Sequence, residues 1–180
     1  MQKELIDLKE FIPKTIICNA GRGQQVSLNS QYDNEFIHLS YIVNQFNGSW
    51  KEHAFTLPRF ISKSNETFEV LGLLQAEMGK TQNGCLVFTN AEPKIINKVM
   101  RWFEHERFLS RERWRWYIAV NLNEHDVKNR EAIEKKLIDY WIKKTLLNYE
   151  RVYPKKVTYR NVQHTNLKNS DYGTLMIEFK

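Results

Sequence analysis

One acidic residue, Glu77, lies at a position where a negative charge is unfavourable. It lies at the end of a predicted helix that begins at Ser64 or Asn65 and ends near Gly79. The helix dipole disfavours a negative charge at this end. The position therefore indicates a cation partner, either a metal ion or a lysine, or else an exposed residue at a fraying helix end. The residues alone leave these alternatives open.

The same helix carries small residues in its interior. Gly72 lies there, at a cost of about 1 kcal/mol relative to alanine, and Ala76 follows one turn later. Without a large side chain at these positions, a second backbone can approach closely. We therefore expect Gly72 and Ala76 to form a helix–helix contact. Because the chain has one such helix, the contact predicts a homodimer.

Basic and hydrogen-bonding residues alternate with apolar ones along two predicted strands, 113–122 and 156–164. Two adjacent strands of this kind would form a basic surface, and a β-ribbon can enter the major groove of DNA. The alternative is an ordinary solvated sheet face, which the alternation fits equally well. The candidate DNA-binding residues are Arg113, Arg115, Tyr117, Asn121, Lys156, Thr158 and Arg160.

Charge is distributed unevenly along the 180 residues, whose net charge is +6. Residues 1–93 hold 8 basic and 10 acidic side chains, whereas residues 94–180 hold 19 and 11, a balance of +8. A basic second half suggests a polyanionic partner, and nucleic acid is a better candidate than a membrane surface. A basic domain with no such partner is the alternative.

Several function classes find no support in the sequence. Two cysteines are too few for a disulfide framework or a four-ligand zinc site. No dinucleotide-binding, P-loop, HExxH or GxSxG motif occurs. No apolar run approaches the roughly 20 residues that span a bilayer, and the first residues lack the apolar segment of a signal peptide. We therefore expect an intracellular protein without membrane contact.

Hydrophobic periodicity predicts most of the elements that position these residues. After the helix that ends near Gly79, runs 78–82 and 85–90 flank an Asn-Gly turn and predict a hairpin. Helices are predicted from Pro93 to about Phe108 and over 131–147, and strands over 113–122, 156–164 and 172–179. Trp114, Trp116 and Ile118 are predicted to face the core.

The first 56 residues are harder to interpret. The pattern of residues 1–11 is compatible with a short helix, and short strands are predicted over 15–18 and 25–28. Residues 35–46 fit helix and strand equally well. We therefore treat 1–56 as an accessory region of unassigned fold, followed by a second domain over residues 57–180.

The segment 70–78, VLGLLQAEM, resembles the nine-residue signature of the LAGLIDADG homing endonucleases. Gly72, Leu73, Ala76 and Glu77 fall in register with that signature, and Leu74 stands in place of isoleucine. The hairpin, helix and strands that follow are also similar to single-motif archaeal and bacterial members. The resemblance covers about residues 57–180.

The resemblance implies an α+β fold with an αββαβ core and a saddle-shaped, mostly antiparallel sheet covered by helices on one face. It also implies that the signature helices of two chains pack together and that the sheets bind duplex DNA. Glu77 of each chain would then hold Mg²⁺ or Mn²⁺ for DNA cleavage. Lys80 is the nearest candidate for a basic group at the scissile phosphate, and Gln75 is a candidate for positioning water.

Two other interpretations stay open at this stage. The chain could keep the fold and the DNA binding but lack cleavage, as a regulatory protein would. It could also be an interaction module that binds no nucleic acid. Metal-dependent cleavage distinguishes the endonuclease from the regulatory protein. A basic surface for the partner distinguishes both of these from the interaction module.

Overall fold

The described part of the chain contains eleven strands and three α-helices. The computed structural model describes residues 4–19, 24–45, 47–80, 86–106, 108, 114–121, 129–147, 152–160 and 172–179. The strands are β1 (Leu5–Asp7), β2 (Thr15–Asn19), β3 (Gln25–Tyr32), β4 (Phe36–Asn44), β5 (Trp50–Pro58), β6 (Phe60–Ser62), β7 (Met78–Lys80), β8 (Leu86–Asn90), β9 (Trp114–Asn121), β10 (Val152–Arg160) and β11 (Thr174–Phe179). The helices are α1 (Asn65–Glu77), α2 (Pro93–His105) and α3 (Arg130–Lys144).

These strands form three sheets. β2, β3, β4 and β5 make an antiparallel meander, and β1 pairs with β6. The largest sheet has the order β10-β9-β11-β8-β7; its pairs are antiparallel except for β9 with β10, which is parallel. The α+β class is therefore confirmed, and the succession α1, β7, β8, α2, β9 follows the predicted αββαβ order.

Helices cover one face of the five-stranded sheet. Trp114, Trp116 and Ile118 are buried, as predicted, and belong to one hydrophobic cluster with residues of all three helices. Arg115, between the two tryptophans, is exposed because successive side chains of a strand point to opposite faces. The helical members of the cluster are Val70, Leu74, Ile96, Val99, Met100, Trp102, Leu137, Ile138 and Trp141.

The predicted helix boundaries hold to within a few residues. Ser64 caps α1, since its side chain accepts a hydrogen bond of 3.1 Å from the amide of Thr67. Pro93 opens α2, where its missing N–H costs nothing. The hairpin is present as β7 paired with β8, while its Asn-Gly turn lies outside the described residues.

The short helix considered for residues 1–11 is wrong. β1 pairs with β6, and Asp7 accepts hydrogen bonds of 2.6–3.1 Å from the Arg59 guanidinium. This long-range pairing overrides the local helical pattern, and the helix within the described residues 4–11 is one 3-10 turn, Leu8–Glu10. Residues 36–44 form a strand because Ile37 and Leu39 are buried with a period of two. β5 runs to Pro58, just past the boundary assigned at residue 56, and the division into two domains stays a prediction.

A buried carboxylate ties the end of α2 to the start of α1. Glu106 is 7% exposed; its Oε2 accepts a hydrogen bond of 2.8 Å from the Ser62 amide, and its Oε1 lies 2.9 Å from Nδ1 of His105. Burial alone would raise the pKa of Glu106, but the hydrogen bonds from Ser62 and His105 together hold its pKa below the ordinary value of 4.5.

Replacing Glu106 with alanine is expected to destabilise the fold by about 3 kcal/mol, because the Ser62 amide would be left buried without an acceptor. Since the pKa of Glu106 is lowered by folding, its ionised form stabilises the protein at neutral pH, and this contribution is lost as the pH falls below 4.5. Urea unfolding at several pH values measures both effects. A Glu106→Gln variant should lose less stability in acid than the wild type does; an unchanged pH profile would contradict the assignment.

Candidate functional site

Helix α1 is fixed to the core along one side. Thr67, Val70 and Leu74 are buried, and Nε1 of Trp102 in α2 donates a hydrogen bond of 3.1 Å to the hydroxyl of Thr67. A buried hydrogen bond between two helices fixes how α1 is rotated about its own axis. The residues on its other side are therefore held toward solvent.

The solvent side of α1 carries the predicted contact residues Gly72 and Ala76. Each residue advances about 100° around a helix, which places these two opposite Val70 and Leu74. Both are exposed. Apart from its own chain neighbours and the nearby backbone of α1, no described residue has an atom within 4 Å of the position that a Gly72 Cβ would occupy. Packing within this chain therefore does not require a glycine at position 72.

Large apolar side chains lie beside these small residues. Phe68 is 53% exposed and Leu71 is 40% exposed. The helix thus has apolar residues on its solvent side as well as on its buried side, a distribution typical of a helix that is covered on both sides. We call the side that holds Phe68, Leu71 and Gln75 the Phe68 flank.

A groove of about 690 Å³ runs along the opposite flank of α1, between α1 and the first turns of α2. Its apolar lining includes Leu73 and Ile95, and Lys98 forms an ion pair with Glu69 across it. We call this side of α1 the groove flank. The complete lining is Glu69, Gly72, Leu73, Ala76, Glu77, Lys94, Ile95 and Lys98.

The three candidate catalytic residues lie near the end of α1, where Gln75 and Glu77 point to different sides of the helix. Glu77 is the last residue of the helix, is exposed and lines the groove. Gln75 is exposed on the Phe68 flank, because residues two apart on a helix do not share a face. Lys80 lies in β7, where its backbone pairs with Leu86. Among the described residues, no three His, Cys, Asp or Glu side chains come together to form a metal site.

The candidate DNA-binding strands are neighbours in the sheet. β9 and β10 pair in parallel, with Thr158 opposite Ala119 and Arg160 opposite Asn121. Tyr117 is half-buried on the same face as the exposed Arg115. Arg113 lies outside the described residues. Only the backbone position in β10 is described for Lys156, Thr158 and Arg160.

The last two strands lie on either side of β9. β10 spans Val152–Arg160 and so begins four residues before the predicted start, while residues 161–164 lie outside the described residues. β11 pairs with β9 and β8. β9 therefore separates the two strands that follow it in the chain. Local periodicity shows that a strand exists but does not identify its partner.

One buried residue on the sheet face away from the helices was missed. Glu178 in β11 lies opposite Arg115 in β9, is 3% exposed, and its Oε2 has no hydrogen-bond partner among the described residues. The sequence signal for this residue is its position between Ile177 and Phe179, which are both buried. Because side chains alternate along a strand, this position places Glu178 on the face away from the helices. The face is therefore not uniformly basic.

Comparison with known proteins returned no match to any family model, any curated protein or any solved structure. Among the described residues, no helix is long and apolar enough to cross a membrane.

Proposed function

We propose that this chain is a duplex DNA-binding protein that acts as a homodimer built on α1, with a core of the LAGLIDADG homing endonuclease type. One observation carries the proposal. The helix that bears the signature-like segment 70–78 exposes Gly72 and Ala76, and the space around Gly72 is empty within the chain. A close contact with a second α1 gives that glycine a structural reason.

The two helices of this dimer run parallel, with the two-fold axis between them. In this arrangement, both Glu77 residues lie at the same end of the dimer, and each Phe68 flank faces the partner's groove flank. Gln75, which is separated from Glu77 within one chain, then faces the partner's Glu77. The dimer therefore brings together two candidate catalytic groups that a single chain keeps apart.

Two carboxylates at one end of the dimer need a cation. The Glu77 charges repel one another, and each also lies at the negative end of a helix dipole. The two Glu77 carboxylates would supply oxygen ligands of the kind that Mg²⁺ and Mn²⁺ prefer, and the charge of such an ion would offset this repulsion. When bound, the metal would activate a water molecule for attack on the DNA phosphate and stabilise the charge that develops.

The alternative is DNA binding without cleavage. One observation favours it: the described residues of a single chain hold no group of three His, Cys, Asp or Glu side chains that could bind a metal ion. A monomer, or a dimer with another arrangement of α1, would therefore bind DNA and leave it intact.

The DNA surface in this proposal is the face of β9 and β10 that lies away from the helices. It is supported by the excess of basic residues in the second half of the chain and by the adjacency of the two strands. Each phosphate contact adds about 0.9 to the slope of the logarithm of affinity against the logarithm of salt concentration. Replacing the four basic candidates with alanine is expected to reduce this slope by up to about 3.6. The four are Arg113, Arg115, Lys156 and Arg160.

A matched control removes the same charge elsewhere. Four lysines of α3 are exposed, and this helix packs on the other face of the sheet. Their replacement with alanine should leave the slope nearly unchanged in fluorescence-anisotropy titrations with duplex DNA. Equal losses in the two variants would show that net charge, and not this face, drives binding. If the wild-type protein does not bind at low salt, the interaction-module interpretation holds. The control residues are Lys135, Lys136, Lys143 and Lys144.

A further inference from the structure

The surface of α1 around Gly72 and Ala76 is too small in area to hold a dimer by itself. The helix has 13 residues, so it is about 20 Å long and, with its side chains, about 10 Å wide. Its outer face therefore covers about 200 Å², whereas a stable interface buries about 800 Å² on each partner. A dimer built on α1 must use neighbouring surface as well.

The two flanks of α1 differ in shape. The Phe68 flank projects a large aromatic ring that is 53% exposed, next to Leu71. The groove flank is concave, and Leu73 and Ile95 are the apolar residues that line it. The protruding side chain and the cavity lie on opposite sides of one helix, so they cannot meet within a chain. The side chain can fit into the cavity only of a second chain.

We propose that Phe68 of each chain inserts into the groove between α1 and α2 of its partner. This inference rests on the proposed dimer and deepens it. Because parallel helices related by a two-fold axis bring opposite flanks together, the insertion occurs twice in each dimer. The occupant of the groove is thus a second copy of this chain.

Charge is consistent with this occupant. The groove is lined by two glutamates and two lysines, so its net charge is zero, and one pair of them, Glu69 and Lys98, is already joined. The Phe68 flank contributes only uncharged side chains. Covering the groove with this flank therefore buries no surplus charge, which would otherwise be costly. A buried aromatic residue at the centre of such a contact is the usual source of most of its binding energy.

Two variants test the insertion by sedimentation equilibrium. Phe68→Asp is expected to raise the dimer dissociation constant at least about 100-fold, because it removes both aromatic rings and places a charge in each groove. Phe68→Leu should stay within about tenfold of the wild type. The matched control is Phe55→Asp, at an exposed phenylalanine of β5. It should leave the dissociation constant unchanged.

A mixing experiment shows whether the groove receives the ring. Leu73→Arg blocks the groove, and its homodimer should be as weak as that of Phe68→Asp. A heterodimer of these two variants keeps one intact ring in one intact groove, so mixing them should restore dimers that neither forms alone. If circular dichroism shows that Leu73→Arg is misfolded, Lys98→Trp, which fills the groove from its rim, replaces it.

The outcomes separate this inference from the proposed function. A wild-type protein that is monomeric at tens of micromolar overturns both. A wild-type dimer that Phe68→Asp leaves intact overturns the insertion alone, as does a mixture of the two variants that stays monomeric. Loss of the dimer in each variant, with recovery on mixing, establishes the insertion.

Discussion

Replacing Gly72 with leucine is expected to convert the dimer into monomers at tens of micromolar. The substituted side chain would project from the centre of the contact and separate the two α1 helices by several ångströms, so most of the interface would be lost. Dissociation constants should rise by at least about 1,000-fold, as expected when a central contact is removed. Light scattering or sedimentation velocity measures the change directly.

The fold of this variant should stay intact, which makes the result interpretable. Beyond the neighbouring backbone of α1, no described atom lies within 4 Å of the position of a Cβ at residue 72, so a side chain there meets open space among the described residues. Gly72→Ala serves as a graded control. It should stabilise the monomer by about 1 kcal/mol through helix propensity while it weakens the dimer. A Gly72→Ala variant that destabilised the monomer as well as the dimer would show that the glycine has a role within the chain, which would contradict our account.

Replacing Glu77 with glutamine is expected to abolish metal binding together with DNA cleavage. The amide has the same size but carries no charge, so the dimer loses both carboxylates that would hold Mg²⁺ or Mn²⁺. Cleavage of a randomised duplex library should fall at least about 1,000-fold, since the metal supplies both the nucleophile and the charge stabilisation. Isothermal calorimetry with Mn²⁺ should give no heat of binding for the variant.

Glu66→Gln is the matched control for Glu77. Glu66 is also an exposed carboxylate of α1, but it lies in the first turn and is not part of the groove lining. Its replacement should leave metal binding and cleavage unchanged. A wild-type protein that binds DNA without binding metal or cutting any sequence would remove Glu77 from the catalytic residues and favour the regulatory alternative.

Helices and the central strand were predictable because their signals are local. Ser64 and Pro93 mark two helix starts, and the alternation through Trp114, Trp116 and Ile118 defines a strand with one buried face. These patterns depend on residues within a few positions of one another. They give the class of the fold and the side of each element that is buried.

Pairing over long distances was not predictable in the same way. β1 pairs with β6, which lies more than fifty positions later in the chain, and β10 pairs with β9 in parallel. Both arrangements depend on where the chain returns after intervening elements, which periodicity does not encode. The four-stranded sheet of β2, β3, β4 and β5 was not predicted for this reason, although strands were predicted within β2 and β3.

The candidate site was likewise predictable in its local features but not in those that depend on long-range packing. Gly72, Ala76 and Glu77 could be placed on one helix from sequence, and their exposure fits the expected contact. The groove beside them could not be predicted, since it depends on how α2 packs against α1. The exposure of Phe68, an aromatic residue that an isolated domain would normally bury, also required the structure.

The central claim is that two chains act together on one DNA duplex. Native mass spectrometry of the protein mixed with a randomised duplex library measures the number of chains on each DNA molecule. We expect complexes with two chains per duplex, and only free protein or single-chain complexes for Gly72→Leu. Wild-type complexes that hold a single chain, or no complex at all, would contradict the claim.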